Sequence, residues 1–139
     1  MLEWDEQSDQ VFRITSDREK AKSLLKLVEL RENDLKTKSE EFSTLIIECY
    51  YEIIKELITA LMSIDGYKTL SHELLIAYVA RFYKEFSSAE IYLMDQLRKT
   101  RNDIAYRGIL VPPEYFNRNK EKVLLLISKL KQTIISKLA

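Results

Sequence analysis

The sequence predicts an all-α fold, an up-and-down bundle of four or five helices, and three observations carry that prediction. Apolar residues recur at spacings of three and four along most of the chain. Only two Gly and two Pro occur in 139 residues, far fewer turn formers than a strand-rich fold needs. Two Ser-x-x-Glu sequences and a Pro-Pro pair stand just ahead of the periodic runs, where helices begin. With 46% hydrophobic and 32% charged residues, the chain can bury a core and keep a wet exterior, as one domain over residues 1–139.

The elements follow in order. Residues 1–15 precede the first helical pattern and are expected to form a loosely ordered N-terminal segment. Ser16-Asp17-Arg18-Glu19 has capping-box spacing, which starts the first helix at Ser16. Ala21, Leu24, Leu25, Val28 and Leu35 then give it an apolar face up to about Asn33-Asp34. In the second helix Ile46, Tyr50, Ile53, Leu57 and Leu61 form one row, and Ile54, Ile58 and Met62 a neighbouring one. Two rows demand two neighbours, so this helix is expected at the centre, ending at the left-handed cap that Gly66 provides. Hydroxyls at Thr69 and Ser71 open a third helix, predicted to run to about Phe86 on the spacing of Leu75, Tyr78, Phe82 and Phe86. Ser87-Ser88-Ala89-Glu90 repeats the capping box, and a fourth helix follows to at least Ala105, with Gly108 free to turn the chain. Pro112-Pro113 starts a fifth helix that reaches almost to Ala139.

Several functions are excluded by missing residues. No GxGxxG or GxxxxGK[ST] is present, so no glycine-rich loop cradles a phosphate, and no cofactor is expected. His72 is the only histidine, which removes metal sites built on paired imidazoles; no metal is expected. His72 stands where the third helix begins and reads first as a capping or packing side chain. Cys49 is the only cysteine, so no disulfide or CxxC pair forms, and it reads as a small core residue. The apolar stretch Leu45 to Ile64 is broken by Glu48, Glu52, Lys55 and Glu56, which argues against a membrane span. The start, Met1 to Glu6, lacks a basic region followed by an apolar run, and this predicts a cytoplasmic chain.

Net charge is zero, yet it is split along the chain: ten basic against three acidic residues from Arg98 onward, twelve against nineteen before it. A basic C-terminal part suits nucleic acid or a nucleotide phosphate, or balances the acidic part within one fold or across a dimer. Within it, Arg98 to Gly108 breaks the local pattern. Arg101 follows Met94 and Leu97 by seven and four positions and precedes Ile104 by three, so helix geometry turns it along the apolar stripe. A buried guanidinium needs a partner: a carboxylate such as Glu48, Glu52 or Glu56, a ligand phosphate, or a solvated interface groove. Asn102 and Tyr106 share an adjacent face.

Three stretches resemble the HEPN family: Tyr50 to Leu57, Gly66 to His72, and Arg101-Asn102-Asp103-Ile104-Ala105-Tyr106-Arg107-Gly108. The resemblance covers nearly the whole chain. It implies a helical bundle with an extra short helix, paired as a homodimer through the helices that carry the motif, and in some members a minimal nucleotidyltransferase partner in a toxin-antitoxin-like unit. Active members of the family carry an Arg, a neighbouring polar residue and a His four to six residues beyond the Arg. Here Arg101 and Asn102 take the first two places, while Tyr106, Arg107 and Gly108 stand where the His could fall. A tyrosine with a pKa of about 10 is a poor proton acceptor near neutrality. Gly108 also occupies the place of the tyrosine that is modified in some family toxins. The resemblance therefore implies a non-catalytic or weakly catalytic dimer that holds RNA or a nucleotide phosphate through Arg98, Arg101, Asn102, Tyr106 and Arg107. Two other readings stand beside it: an active metal-independent endoribonuclease using Tyr106 or His72, and a purely structural or protein-interaction module.

Overall fold

The computed structural model describes residues 2–139, which form five α-helices and a two-stranded ribbon: β1 Val11–Arg13, α1 Arg18–Leu35, a 3-10 turn Glu40–Phe42, α2 Ser43–Asp65, β2 Tyr67–Thr69, α3 His72–Phe82, α4 Ser88–Arg107 and α5 Pro113–Leu138. Helix α2 is the centre, packed by α1, α3, α4 and α5. Its two apolar rows explain this, because Ile47, Ile53, Ile54, Leu57, Ile58 and Leu61 cover enough of its circumference to meet several partners at once. Helices α4 and α5 flank α2 and meet each other through side chains, as where Lys129 bonds Glu90 at 2.9 Å. The largest fully buried side chains include Tyr51, Tyr78 and Phe116, one from each of three helices. Among the described residues no helix is long and apolar enough to cross a membrane.

Strict up-and-down alternation does not hold at α3. His72, at its start, lies against Tyr51 in the middle of α2, with ring centroids 5.8 Å apart. Tyr78 and Tyr83, at its end, both donate to Asp65 at the end of α2. Helix α3 thus runs in the same direction as α2. The fourteen helical steps of α2 from Tyr51 to Asp65 span about 21 Å, and the seven residues back to His72 cover about that distance only when extended. That need for an extended return is met by β2.

The ribbon also changes the reading of the N-terminus. Instead of a loose segment, Val11, Phe12 and Arg13 pair antiparallel with Thr69, Lys68 and Tyr67, and Trp4 packs edge-on against Tyr67, Tyr78 and Phe82. An extended β2 presents free backbone groups, and a second strand satisfies them. Gly66 holds the junction with φ 87°, and its carbonyl accepts from Ile14 N at 2.9 Å.

Two helix boundaries differ from the sequence expectation. Asp17, not Ser16, caps α1, its carboxylate accepting from Lys20 N at 2.9 Å, while the Ser16 hydroxyl donates to the Ile64 carbonyl at 2.6 Å. The free carbonyls at the end of α2 draw Ser16 away. Helix α3 stops at Phe82 rather than near Phe86, as Tyr83 leaves helical geometry and turns its hydroxyl onto Asp65 at 2.5 Å. The capping box of α4 forms in both directions, with Glu90 N donating to Ser87 Oγ and Ser87 N to Glu90 Oε1. Gly108 ends that helix with φ 64°.

Candidate functional site

Arg101 lies where α4 crosses α2 near the open side of α1. The sequence turns it inward because Met94 and Leu97, two turns and one turn earlier on the same stripe, are fully buried. Its side chain is 20% exposed, and its Nε sits 3.6 Å from Glu52 Oε1. That Nε is buried without a hydrogen-bond partner among the described residues. Glu52 is already held more closely by Lys55, at 2.7 Å from the other carboxylate oxygen. The contact between Arg101 and Glu52 is therefore an ion pair too long for a hydrogen bond, made to a carboxylate committed elsewhere.

A pocket of about 370 Å³ opens beside it, lined by Arg31, Leu45, Glu48, Cys49, Glu52 and Arg101. Arg31 is committed: its guanidinium forks onto buried Glu56 with bonds of 2.8 and 2.9 Å, stapling α1 to α2. That bond raises the Arg31 pKa still further. Cys49 is only half-buried, not enclosed in the core as expected, and burial raises its thiol pKa, which keeps it protonated and unreactive.

The predicted residues divide on inspection. Asn102 Oδ1 accepts from Arg101 at 3.5 Å, and the Tyr106 ring centroid lies 5.9 Å from the Arg101 guanidinium carbon. Tyr106 itself is 77% exposed, and Arg107 reaches back to Asp103 at 3.5 Å on the surface. Arg98 points elsewhere. Its side chain is 12% exposed, bonded to buried Asp95 at 2.9 Å and within 4.0 Å of Glu73, so it ties α4 to α3 and has little left to offer a ligand.

Residues distant in sequence complete the corner. The His72 pKa is lowered, first by burial and then by the positive charges of Lys55 and Arg101, with Arg98 adding a smaller push and Glu52 opposing. The only imidazole therefore feels the charge of Arg101 and stays neutral near neutrality. Burial dominates at Tyr51, whose hydroxyl is pushed well above its ordinary value despite Arg98 and Arg101 nearby. His72 is one of the two bases the sequence offers beside Arg101, 29 positions away, and the extended return of β2 sets it against Tyr51, the residue before the Glu52 that meets Arg101.

Apolar surface surrounds the corner. Leu45 is 51% exposed and Leu110 75%, and the loop bearing Leu110 is fastened to the start of α2 by Val111 N donating to Thr44 Oγ1 at 2.9 Å. Phe42 and Ile109, near Leu45 and Leu110 in the chain, are also exposed. No known protein family, curated protein or solved structure matches this chain.

Proposed function

We propose that this chain is a HEPN-like homodimer that binds RNA or a nucleotide phosphate along the end of α4 and does so with little or no catalysis. The observation that carries the reading is Arg101: a mostly buried guanidinium whose Nε lacks a hydrogen bond and whose nearest carboxylate already belongs to Lys55. A charge held in that state retains bonding capacity for an anion. The pocket itself carries Glu48 and Glu52, so a phosphate meets Arg101 from the solvent side, where Asn102, Tyr106 and Arg107 follow along the helix. Leu45, Leu110, Phe42 and Ile109 supply apolar surface on which a second copy can close. Pairing with a minimal nucleotidyltransferase in a toxin-antitoxin-like unit belongs to the same reading.

Fluorescence anisotropy with a single-stranded RNA at low and high salt tests the site. Affinity should fall steeply with salt, and Arg101→Ala should weaken it several-fold; absence of binding at low salt rejects the proposal. Sedimentation tests the assembly, with a dimer expected for the native chain and a monomer for Leu110→Glu.

One observation favours a second reading, a metal-independent endoribonuclease. His72 stays neutral, packs on Tyr51, the residue before the Glu52 that meets Arg101, and feels the charge of Arg101, so an imidazole able to accept a 2′-hydroxyl proton belongs to this corner although Tyr106 occupies the motif position. RNA cleavage in EDTA that disappears in both His72→Ala and Arg101→Ala would establish it; cleavage unaffected by either would exclude this corner.

A further inference from the structure

On another face of α2, away from Arg101, a cavity of about 270 Å³ lies between the C-terminal end of α1, α2 and α5. Its floor holds Tyr50 and Phe116, whose rings are near-parallel, 11° apart, with centroids 6.4 Å apart. Tyr50 is only 4% exposed. Its hydroxyl makes no hydrogen bond to any described residue and, unlike Arg101 Nε, is not shut off from water, so it is free to meet a ligand in the cavity. The rim is charged. Glu32 is bonded by Lys131 at 2.8 Å and Lys38 lies 3.6 Å from Asp34. Lys36, Lys120 and Glu40 have no ion-pair partner among the described residues, which leaves the mouth net positive. The Lys120 ammonium stands over the Phe116 ring at 5.5 Å.

We infer that this cavity binds a small organic anion with a flat, ring-sized apolar body and one carboxylate, the ring lying against Phe116 and the acid group meeting Lys36, Lys120 and the Tyr50 hydroxyl. The volume sets the class. At the lower end of the range for small-molecule sites, roughly 300 Å³, it is too small for a nucleoside triphosphate or a long acyl chain. The apolar floor disfavours a bare inorganic anion, and the two unpaired lysines disfavour a neutral ring. The unpartnered Tyr50 hydroxyl supplies the one directional donor that fixes the orientation of the acid group. This site is independent of the Arg101 corner, and neither inference requires the other.

Indole-3-acetate is a suitable probe, titrated into the full chain and followed by amide and aromatic NMR shifts. Saturable shifts are expected at Tyr50, Phe116 and Lys120, with a dissociation constant of about 0.1 mM for so few ligand atoms. Tyr50→Phe, which keeps the ring and the packing, should weaken binding about fivefold, and Lys120→Gln should both weaken it and flatten its salt dependence. Neutral indole-3-acetamide should bind about tenfold more weakly than the acid. Leu124→Trp, which fills the cavity from its solvent side, should abolish binding while circular dichroism reports an unchanged fold. Failure to saturate at millimolar concentrations, equal binding of acid and amide, shifts centred elsewhere, or binding that survives Leu124→Trp would each overturn the inference.

Discussion

The two ends of α2 treat buried charge in opposite ways. At its C-terminal end Asp65 accepts from the Tyr78 hydroxyl, from Tyr83 at 2.5 Å and from Lys137 at 2.7 Å. Arg18 caps the neighbouring end of α5 by donating to the Lys137 and Leu138 carbonyls. The donors to Asp65 and to the end of α5 all have acceptors, and the knot joins α1, α2, α3 and α5, with Trp4 Nε1 beside Tyr78 the one buried donor near it that has none. Toward the N-terminal half, Arg101 enters a similarly sheltered place and finds only a long contact to a carboxylate that Lys55 already holds. Saturated polar groups stabilise the fold, whereas an unsaturated one retains capacity for a ligand or a second subunit.

The contrast can be broken most severely at Asp65. Asp65→Ala leaves three donors without their acceptor and should cost about 3 kcal/mol of stability by urea unfolding; a loss below about 1 kcal/mol would mean the knot is incidental. The same knot predicts alkaline sensitivity. Burial and then the bond to Asp65 push Tyr83 up to about 12 and Tyr78 higher still. Both folded values lie above the unfolded value of about 10, so this contribution is complete below pH 10 and is lost as pH rises beyond it. Next in size is Gly66→Ala, in which a Cβ would meet the Ile14 carbonyl oxygen at 2.9 Å in a left-handed conformation. About 2 kcal/mol should be lost, with exchange protection at Ile14 falling first.

Effects at the other end should be smaller. Arg101→Met keeps much of the packing and leaves Glu52 with Lys55, so stability should change by less than about 0.5 kcal/mol even though the residue is mostly buried. A loss comparable to that of Asp65→Ala would make Arg101 a structural member and remove the contrast. The smallest effect concerns pH. The folded pKa of His72 is depressed, so its contribution is present above the unfolded value of about 6.5 and declines as pH falls below it. An NMR titration should give a midpoint below 6.5, moving upward in Arg101→Ala as one neighbouring positive charge is removed. A midpoint that ignores Arg101 would separate the two residues and withdraw the nuclease reading.

Sequence legibility was uneven for physical reasons. The caps at Ser87-Glu90, Gly66 and Pro113 are local chemistry, settled within three or four residues, and they appear in place. Ser16 does not cap α1 as its spacing predicts, because its hydroxyl is taken by the carbonyl of Ile64, 48 positions away. Arg98 and Arg101 look alike in sequence, three residues apart on one helix. Their fates differ because Asp95 and Glu73 face one of them while a carboxylate already held by Lys55 faces the other.

Taken alone, the order of residues determines that this chain is helical, that α2 is its hub and that Arg101 turns inward, since each of these follows from spacing along a single helix. Only the tertiary structure decides that α3 runs alongside α2, that an N-terminal strand seals the return segment, and that His72 packs on Tyr51, next to the Glu52 that meets Arg101. Those outcomes depend on the free backbone and charged groups that separate elements expose once packed, and no local period encodes which distant residue will satisfy them.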